Sequence, residues 1–142
     1  MKARYEAVSL AKKIVSLANN NDLYITNLQL QKVLYYVQGT FMNKFKEKAF
    51  AEDMECWPYG PVVKKVWSTF NVFGRNPIRN CSSNLQLLQC EENIIIDILL
   101  KKLNMNVWDL VDQTHEEIPW KRANESHSIY LKDEDMKEFF CR

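Results

Sequence analysis

The chain is poor in the residues that punctuate structure: glycine occurs 3 times and proline 4 times in 142 residues. So few breakers leave few sites for the turns that a many-stranded protein needs, and the chain reads as helices joined by short loops. Long apolar runs are also missing. The longest is Val33–Val37, against the roughly 20 residues that a spanning helix requires, so no membrane crossing is expected. Lys12 and Lys13 interrupt the one stretch near the start that could serve as the core of an export signal. The four cysteines, Cys56, Cys81, Cys90 and Cys141, form no Cys-x-x-Cys pair. Without an export signal they are expected as free thiols in a reducing cytosol. Charge of one sign is absent too: the net charge is +1, too balanced for strong nonspecific attraction to nucleic acid or an anionic membrane.

Catalytic devices are equally scarce. No glycine-rich phosphate loop, Gly-x-Ser-x-Gly elbow or His-Glu-x-x-His pair is present. The two histidines are His115 and His127. His115 lies near Asp112, Glu116 and Glu117, but a metal needs two or more converging ligands. Its expected role is to form a hydrogen bond or a cap. No metal, no cofactor and no enzymatic activity are expected, and an enzyme centred on His115 is the weakest of the readings considered.

What is present is a core. The chain is 46% hydrophobic and 12% aromatic, and its length suits one domain that buries roughly 68–70% of its unfolded surface. The stretch around which the rest is arranged is Thr26 to Phe45. Thr26 with Gln29 is a capping box, and Ile25 can staple onto Leu30. Leu30, Val33, Leu34, Val37, Phe41 and Phe45 then recur at helical spacing, widened by Tyr35 and Tyr36, with Gln31, Lys32 and Gln38 off the stripe. A helix is predicted over residues 3–18, stopped by Asn19–Asp22. Residues 44–53 read as a loop. Met54–Trp57 reads as a short extended piece able to pair with Ser128–Leu131. Gly60 supplies a turn, and Pro61 is placed at the first position of a helix that Gly74 ends. Residues 75–90 show no period. A helix opening at Glu91–Glu92 and closing at Lys101–Lys102 is apolar nearly all round, which predicts burial on several sides. Asn106 caps a further helix, Pro119 begins a short turn to Ala123, and Asp133 caps the last helix. The expected fold is mainly α: a single compact helical domain over residues 1–142, of five to seven helices, with room for one short two-stranded β pair.

Two surface features point to a partner. Lys64, Lys65, Arg75 and Arg79 lie in one region with Trp57, Tyr59 and Trp67, which could meet phosphates, although Glu52, Asp53 and Glu55 dilute the field. The plainer reading is a solvated face. Trp57, Tyr59, Trp108 and Trp120 each read as core, but any that are exposed together would mark an interface.

Four segments resemble one family. Leu30–Gly39 is similar to its LQKLLYYAQG signature, and Glu55–Val63 to EAWxYGPVxxxV, followed by Val66-Trp67 and Phe73-Gly74. Thr114-His115 with Pro119–Ala123 is similar to THxxxPWxxA, and Met136–Phe140 to IxxYF. This is the Panacea domain family, also called SocA-like antitoxin or phage-associated GepA-like. The resemblance runs through essentially the whole chain. It departs at Glu116-Glu117-Ile118, where glycine or aspartate often precedes the proline, and residues 78–92 match nothing in it. Both are candidate sites of partner specificity. The resemblance implies a cytoplasmic, bacterial or prophage-encoded module that neutralises a cognate toxin, by direct binding or as an adaptor to a ClpXP-type protease. Its motif positions here are Gln31, Lys32, Tyr36, Trp57, Tyr59, Gly60, Pro61, His115 and Trp120, which suit a structural knot around the Tyr-Gly-Pro turn as well as a binding site. No catalytic residue carries over. The alternative is a nucleic-acid-binding regulator using Lys64, Lys65, Arg75 and Arg79.

Overall fold

A computed structural model describes residues 1–142. The first elements are β1 (Ala3–Tyr5), α1 (Ala7–Asn20), α2 (Asn27–Phe45) and β2 (Lys48–Phe50). Two predictions are corrected here. Residues 3–5 are extended, not the first turn of a helix, and residues 48–50 form a strand within the stretch read as loop. The two segments pair in parallel, Ala3 opposite Lys48 and Tyr5 opposite Phe50. Arg4 fastens them, with its guanidinium on Glu47 at 2.7 Å and on Glu91 at 2.8 Å. Three-residue strands paired across forty residues leave no periodicity to read. α1 buries Leu10, Ala11, Ile14, Val15 and Ala18. It stops where predicted, with Asp22 in the left-handed region at φ 57°.

α2 is the axis of the molecule. Its capping box forms: the Gln29 N–H donates to Thr26 Oγ1 at 3.2 Å, and the Thr26 N–H donates to Gln29 Oε1 at 2.9 Å. The helix is buried from Leu30 through Gly39 on every side. Gln31, Lys32 and Gln38, predicted to lie off the buried stripe, are therefore interior. α2 meets both β pairs and most of the other helices, so none of its faces is left for water between Leu30 and Gly39, while Asn43 and Lys44 near its end are exposed.

A hairpin follows, β3 (Glu55–Trp57) and β4 (Gly60–Val62), paired antiparallel with Cys56 opposite Pro61. The helix predicted to begin at Pro61 begins instead at Lys64, as α3 (Lys64–Phe70). Pro61 sits in a two-stranded pair where its missing N–H leaves no ladder bond broken. As predicted, the 128–131 segment joins β3: the Cys56 N–H donates to Ile129 O at 2.7 Å and the Leu131 N–H to Met54 O at 2.9 Å. α3 runs into a single 3₁₀ turn that Gly74 closes at φ 57°.

Residues 75–88 form no regular element, and α4 (Gln89–Lys102) comes next. The prediction that α4 is covered on several sides is corrected. Ile95, Ile98 and Leu99 are buried, but Leu100 is 54% exposed, because α4 packs on α1 and α2 with nothing outside it. α5 (Val107–Glu116) is capped by Asn106, whose side chain accepts from the Trp108 N–H at 2.9 Å. Glu117 breaks the helix in extended conformation, and α6 (Ile118–Glu125) starts again with Pro119 in its first turn. What read as a short turn is thus a two-turn helix. α7 (Asp133–Phe140) has Lys132 at the cap position; Asp133 is the first helical residue and not the cap. Asp133, Glu134 and Asp135 still complement the helix dipole there. The seven helices fall within the predicted range, and two β pairs replace the one expected.

α7 docks on α2 at Gly39. The Phe140 ring fills the place that a Cβ at Gly39 would take, and it meets Tyr35 and Tyr36 edge-on with centroids 5.4 and 6.2 Å away. Gly39→Ala is therefore expected to destabilise the protein by about 1–3 kcal/mol through overpacking. In denaturant titrations, adding Phe140→Ala to Gly39→Ala should be less costly than Phe140→Ala alone. Simple addition of the two losses would show that the ring and Gly39 do not compete for the same space.

Candidate functional site

Three of the four motif segments converge on one side of α2. Asn27 and Gln31, one turn apart, form a chain of amides. The Gln31 Nε2–H donates to Asn27 Oδ1 at 3.1 Å, Asn27 donates to Trp67 O at 3.0 Å, and Gln31 Oε1 accepts from the Val63 N–H at 2.9 Å. Lys32 is fully buried and donates to Pro61 O at 2.9 Å. These bonds hold the arm of the hairpin that leaves the Tyr59-Gly60-Pro61 turn. Gly60 is required twice over. Its φ is +108°, and a Cβ there would lie 2.7 Å from Lys32 Cε and 2.8 Å from Thr114 Oγ1. Thr114 and His115 come from the end of α5, and Trp120 from α6. The Trp120 indole N–H donates to Trp57 O at 2.8 Å, tying α6 to the hairpin.

No acidic side chain forms an ion pair with Lys32. Burial therefore lowers its amine from the usual lysine range to about 7. Next to it, Tyr35 and Tyr36 donate to the buried Glu117 carboxylate at 2.9 and 3.0 Å. Burial raises the Glu117 carboxyl above the ordinary range, although both tyrosine hydroxyls, Lys102 and Arg142 pull the other way. Burial and the same carboxylate raise both tyrosines.

His115 departs from its expected role. Its ring stacks on Trp120 with centroids 3.9 Å apart, and its buried Nε2 has no hydrogen-bond partner. The face of the ring is in aromatic contact, and no side-chain hydrogen bond or cap is formed.

Of the nine motif residues, Gln31, Lys32, Tyr36, Gly60, Pro61 and Trp120 are buried, and Trp57 and His115 are partly so. Tyr59 alone projects, 53% exposed, at the hairpin tip. It lies 6.1 Å from the ring of Trp108, itself 56% exposed, on the first turn of α5. Trp57 is taken up by Trp67, 5.6 Å away edge-on. Lys64, Lys65, Arg75 and Arg79 are all exposed, and Arg79 lies over the Tyr24 ring at 5.6 Å. Sequence reasoning gave Asn27 no role, set Gln38 off the buried stripe, and noted Glu117 only beside His115 and in the departure from the family pattern, not as a buried acceptor. The signal for Glu117 was the adjacent Tyr35 and Tyr36 on the apolar stripe, whose hydroxyls, once buried, need an acceptor. A surface depression of about 470 Å³ between α2 and α4 is bordered by Tyr36, Lys44, Ile94 and Lys101, away from the hairpin.

The family described as "Antitoxin SocA-like, Panacea domain" matches residues 30–121, more than half of the chain. The chain belongs to this family. The match opens at the Leu30-Gln31-Lys32 turn and closes just after Trp120, so the convergence around Gly60 lies inside it. The Panacea domain is also similar to the protein named Antitoxin SocA from Caulobacter vibrioides (strain NA1000 / CB15N), with 32% identity over 75 residues. That alignment takes in 53% of this chain and 40% of the relative, so the similarity spans less than half of the relative's length. No solved structure matches. No helix is long and apolar enough to cross a membrane.

The Lys32 amine gives this domain a signature in pH. Its folded value of about 7 lies below the unfolded 10.5. Between those values the unfolded chain holds a proton that the folded chain does not, so this group makes stability rise with pH across the window. Below about 7 both states are charged and the slope from this group ends. Lys32→Met is expected to remove that slope. The stability difference between variant and parent should change by about 3 kcal/mol between pH 7 and pH 9.5 in urea titrations. Parallel pH profiles would show that Lys32 keeps its charge in the fold.

Proposed function

We propose that this Panacea domain is an antitoxin that neutralises its cognate toxin by direct binding, and that Tyr59 and Trp108 anchor the contact. The supporting observation is the pairing of these two rings outside a hairpin fixed from beneath. Large aromatics at an interface centre carry much of the binding energy. Here they also need little ordering on binding, because the turn that carries Tyr59 is already held by Lys32 and Gln31. Around them, α5 exposes Asp109, Asp112 and Glu116. The partner surface that fits is basic, with a recess for two rings.

The test is co-expression with the product of the adjacent gene. The parent domain should rescue growth, and Tyr59→Ala or Trp108→Ala should each weaken toxin binding by about 2 kcal/mol or more, roughly thirtyfold, with the melting temperature unchanged. Undiminished binding by the doubly substituted domain would overturn the assignment of the surface, and absence of rescue by the parent would overturn the antitoxin reading. Rescue should persist in a host lacking ClpXP. Its loss there would show that the toxin is delivered to the protease and not simply blocked.

A further inference from the structure

The segment between Gly74 and α4 has the form of a strand without a neighbour. From residue 81 to 87 burial alternates: Cys81, Ser83, Leu85 and Leu87 turn inward, while Ser82, Asn84 and Gln86 are exposed. That two-residue period is the pleat of an extended chain with one face on the core. Leu85 and Leu87 pack against the core, and the Cys81 thiol reaches Lys12 O on α1 at 3.6 Å. Yet no backbone N–H or C=O from Asn80 to Leu87 takes part in a backbone–backbone hydrogen bond. Only the Leu85 N–H finds a protein partner, Ser83 Oγ at 3.1 Å.

An open edge of this kind is a template for another strand, and proteins usually blunt it with lysine, proline or a bulge. This segment carries none of these, and no charge of any sign lies between Arg79 and Glu91. Its flanks are charged in opposite senses. Arg75 and Arg79 precede it, both exposed, and Glu92 follows in the first turn of α4. Two copies laid antiparallel about Asn84 would bring the arginines of each beside Glu92 of the other. Exposed side chains would then face exposed side chains, as a two-fold contact demands.

We propose that residues 80–88 pair with the same residues of a second copy of this chain, joining two domains through a continuous antiparallel ladder. The opposite charges at its two ends make the segment its own complement, and a parallel pairing would set like charges together. So short a ladder falls at the small end of specific interfaces, so the dimer is weak and concentration-dependent. The self-pairing does not rest on the antitoxin reading, since it involves neither Tyr59 nor Trp108.

Sedimentation velocity on the full chain across the micromolar range tests it. The parent should pass from monomer to dimer. Asn84→Pro, which removes a ladder N–H at an exposed extended position, should stay monomeric with unchanged helical circular dichroism. Arg79→Glu should weaken the dimer about tenfold or more through like-charge contact with Glu92, and Arg79→Glu combined with Glu92→Arg should restore it. A parent that stays monomeric throughout overturns the proposal, as does a dimer indifferent to the charge reversal. If Asn84→Pro fails to fold, the charge swap decides alone.

Discussion

Gln38 reaches from the middle of α2 to a strand only three residues long. Its Nε2–H donates to Phe50 O at 2.8 Å, and its Oε1 accepts from the N–H groups of Ala49 and Phe50 at 2.7 and 3.2 Å. A strand that short, with one parallel neighbour, cannot hold its own backbone in a dry interior. The amide stands in for the missing second neighbour. The same device recurs along the helix: Gln31 holds Val63, Asn27 holds the end of α3, and Lys32 holds Pro61. Each leaves no buried polar group on the irregular segments unmatched where a loss would cost about 1–3 kcal/mol. α2 is thus more than the apolar centre. Its polar side chains are the partners for those parts of the chain that lack a sheet of their own.

That arrangement explains why a helix with little amphipathic contrast can still be specified in one orientation. Apolar burial alone would let α2 rotate among nearly equivalent packings. The polar bonds do not, because each side chain must find its own carbonyl or amide. Rotation of α2 by one residue would leave Lys32, Gln31 and Gln38 unpaired in a dry interior. The hairpin inherits that rigidity. Lys32 packs so closely on Gly60 that no side chain fits there, and Tyr59 stands exposed beside that buried glycine.

Much of this was readable and some was not, for reasons that differ by residue. The Thr26–Gln29 box, the Asn106 cap, the Gly74 stop and the pairing of residues 54–57 with 128–131 depend on local chemistry, and all stand. Lys32 could not be placed from spacing. A lysine one position off an apolar stripe ordinarily faces water, and only the carbonyl of Pro61, far along the chain, makes its burial tolerable. Pro61 itself misleads for a related reason. After glycine it suits a helix start, but pairing with β3 keeps it in a strand, and Lys32 and Gln31 hold the Pro61 carbonyl and the Val63 N–H that follow it. The opposite error appears at α4, whose isoleucines and leucines predicted a helix sunk in the core. Nothing packs outside it, so Leu100 is left on the surface. The site followed the same division. Motif residues were found as a set, while their depth was not, since depth is a property of the whole packing.

The depth of those residues bears on where recognition resides. A group that is buried and already bonded to its own chain cannot also be the first contact of a partner. Lys32, Gln31, Gly60, Pro61 and Trp120 satisfy that description, so under the proposed antitoxin reading they would act on a partner only by fixing what lies above them. What lies above them is Tyr59, held against Trp108 on α5. Trp108 stands outside the family motifs, on a helix whose outer face carries Asp109, Asp112 and Glu116. Exposed positions such as these can change without disturbing a single bond to α2. The buried ones cannot, because each is bonded to a distant segment or leaves its neighbours no room for a larger group. On the proposed reading, one buried frame can serve different outer surfaces, and the choice of partner would fall to the side chains that take no part in holding the frame together.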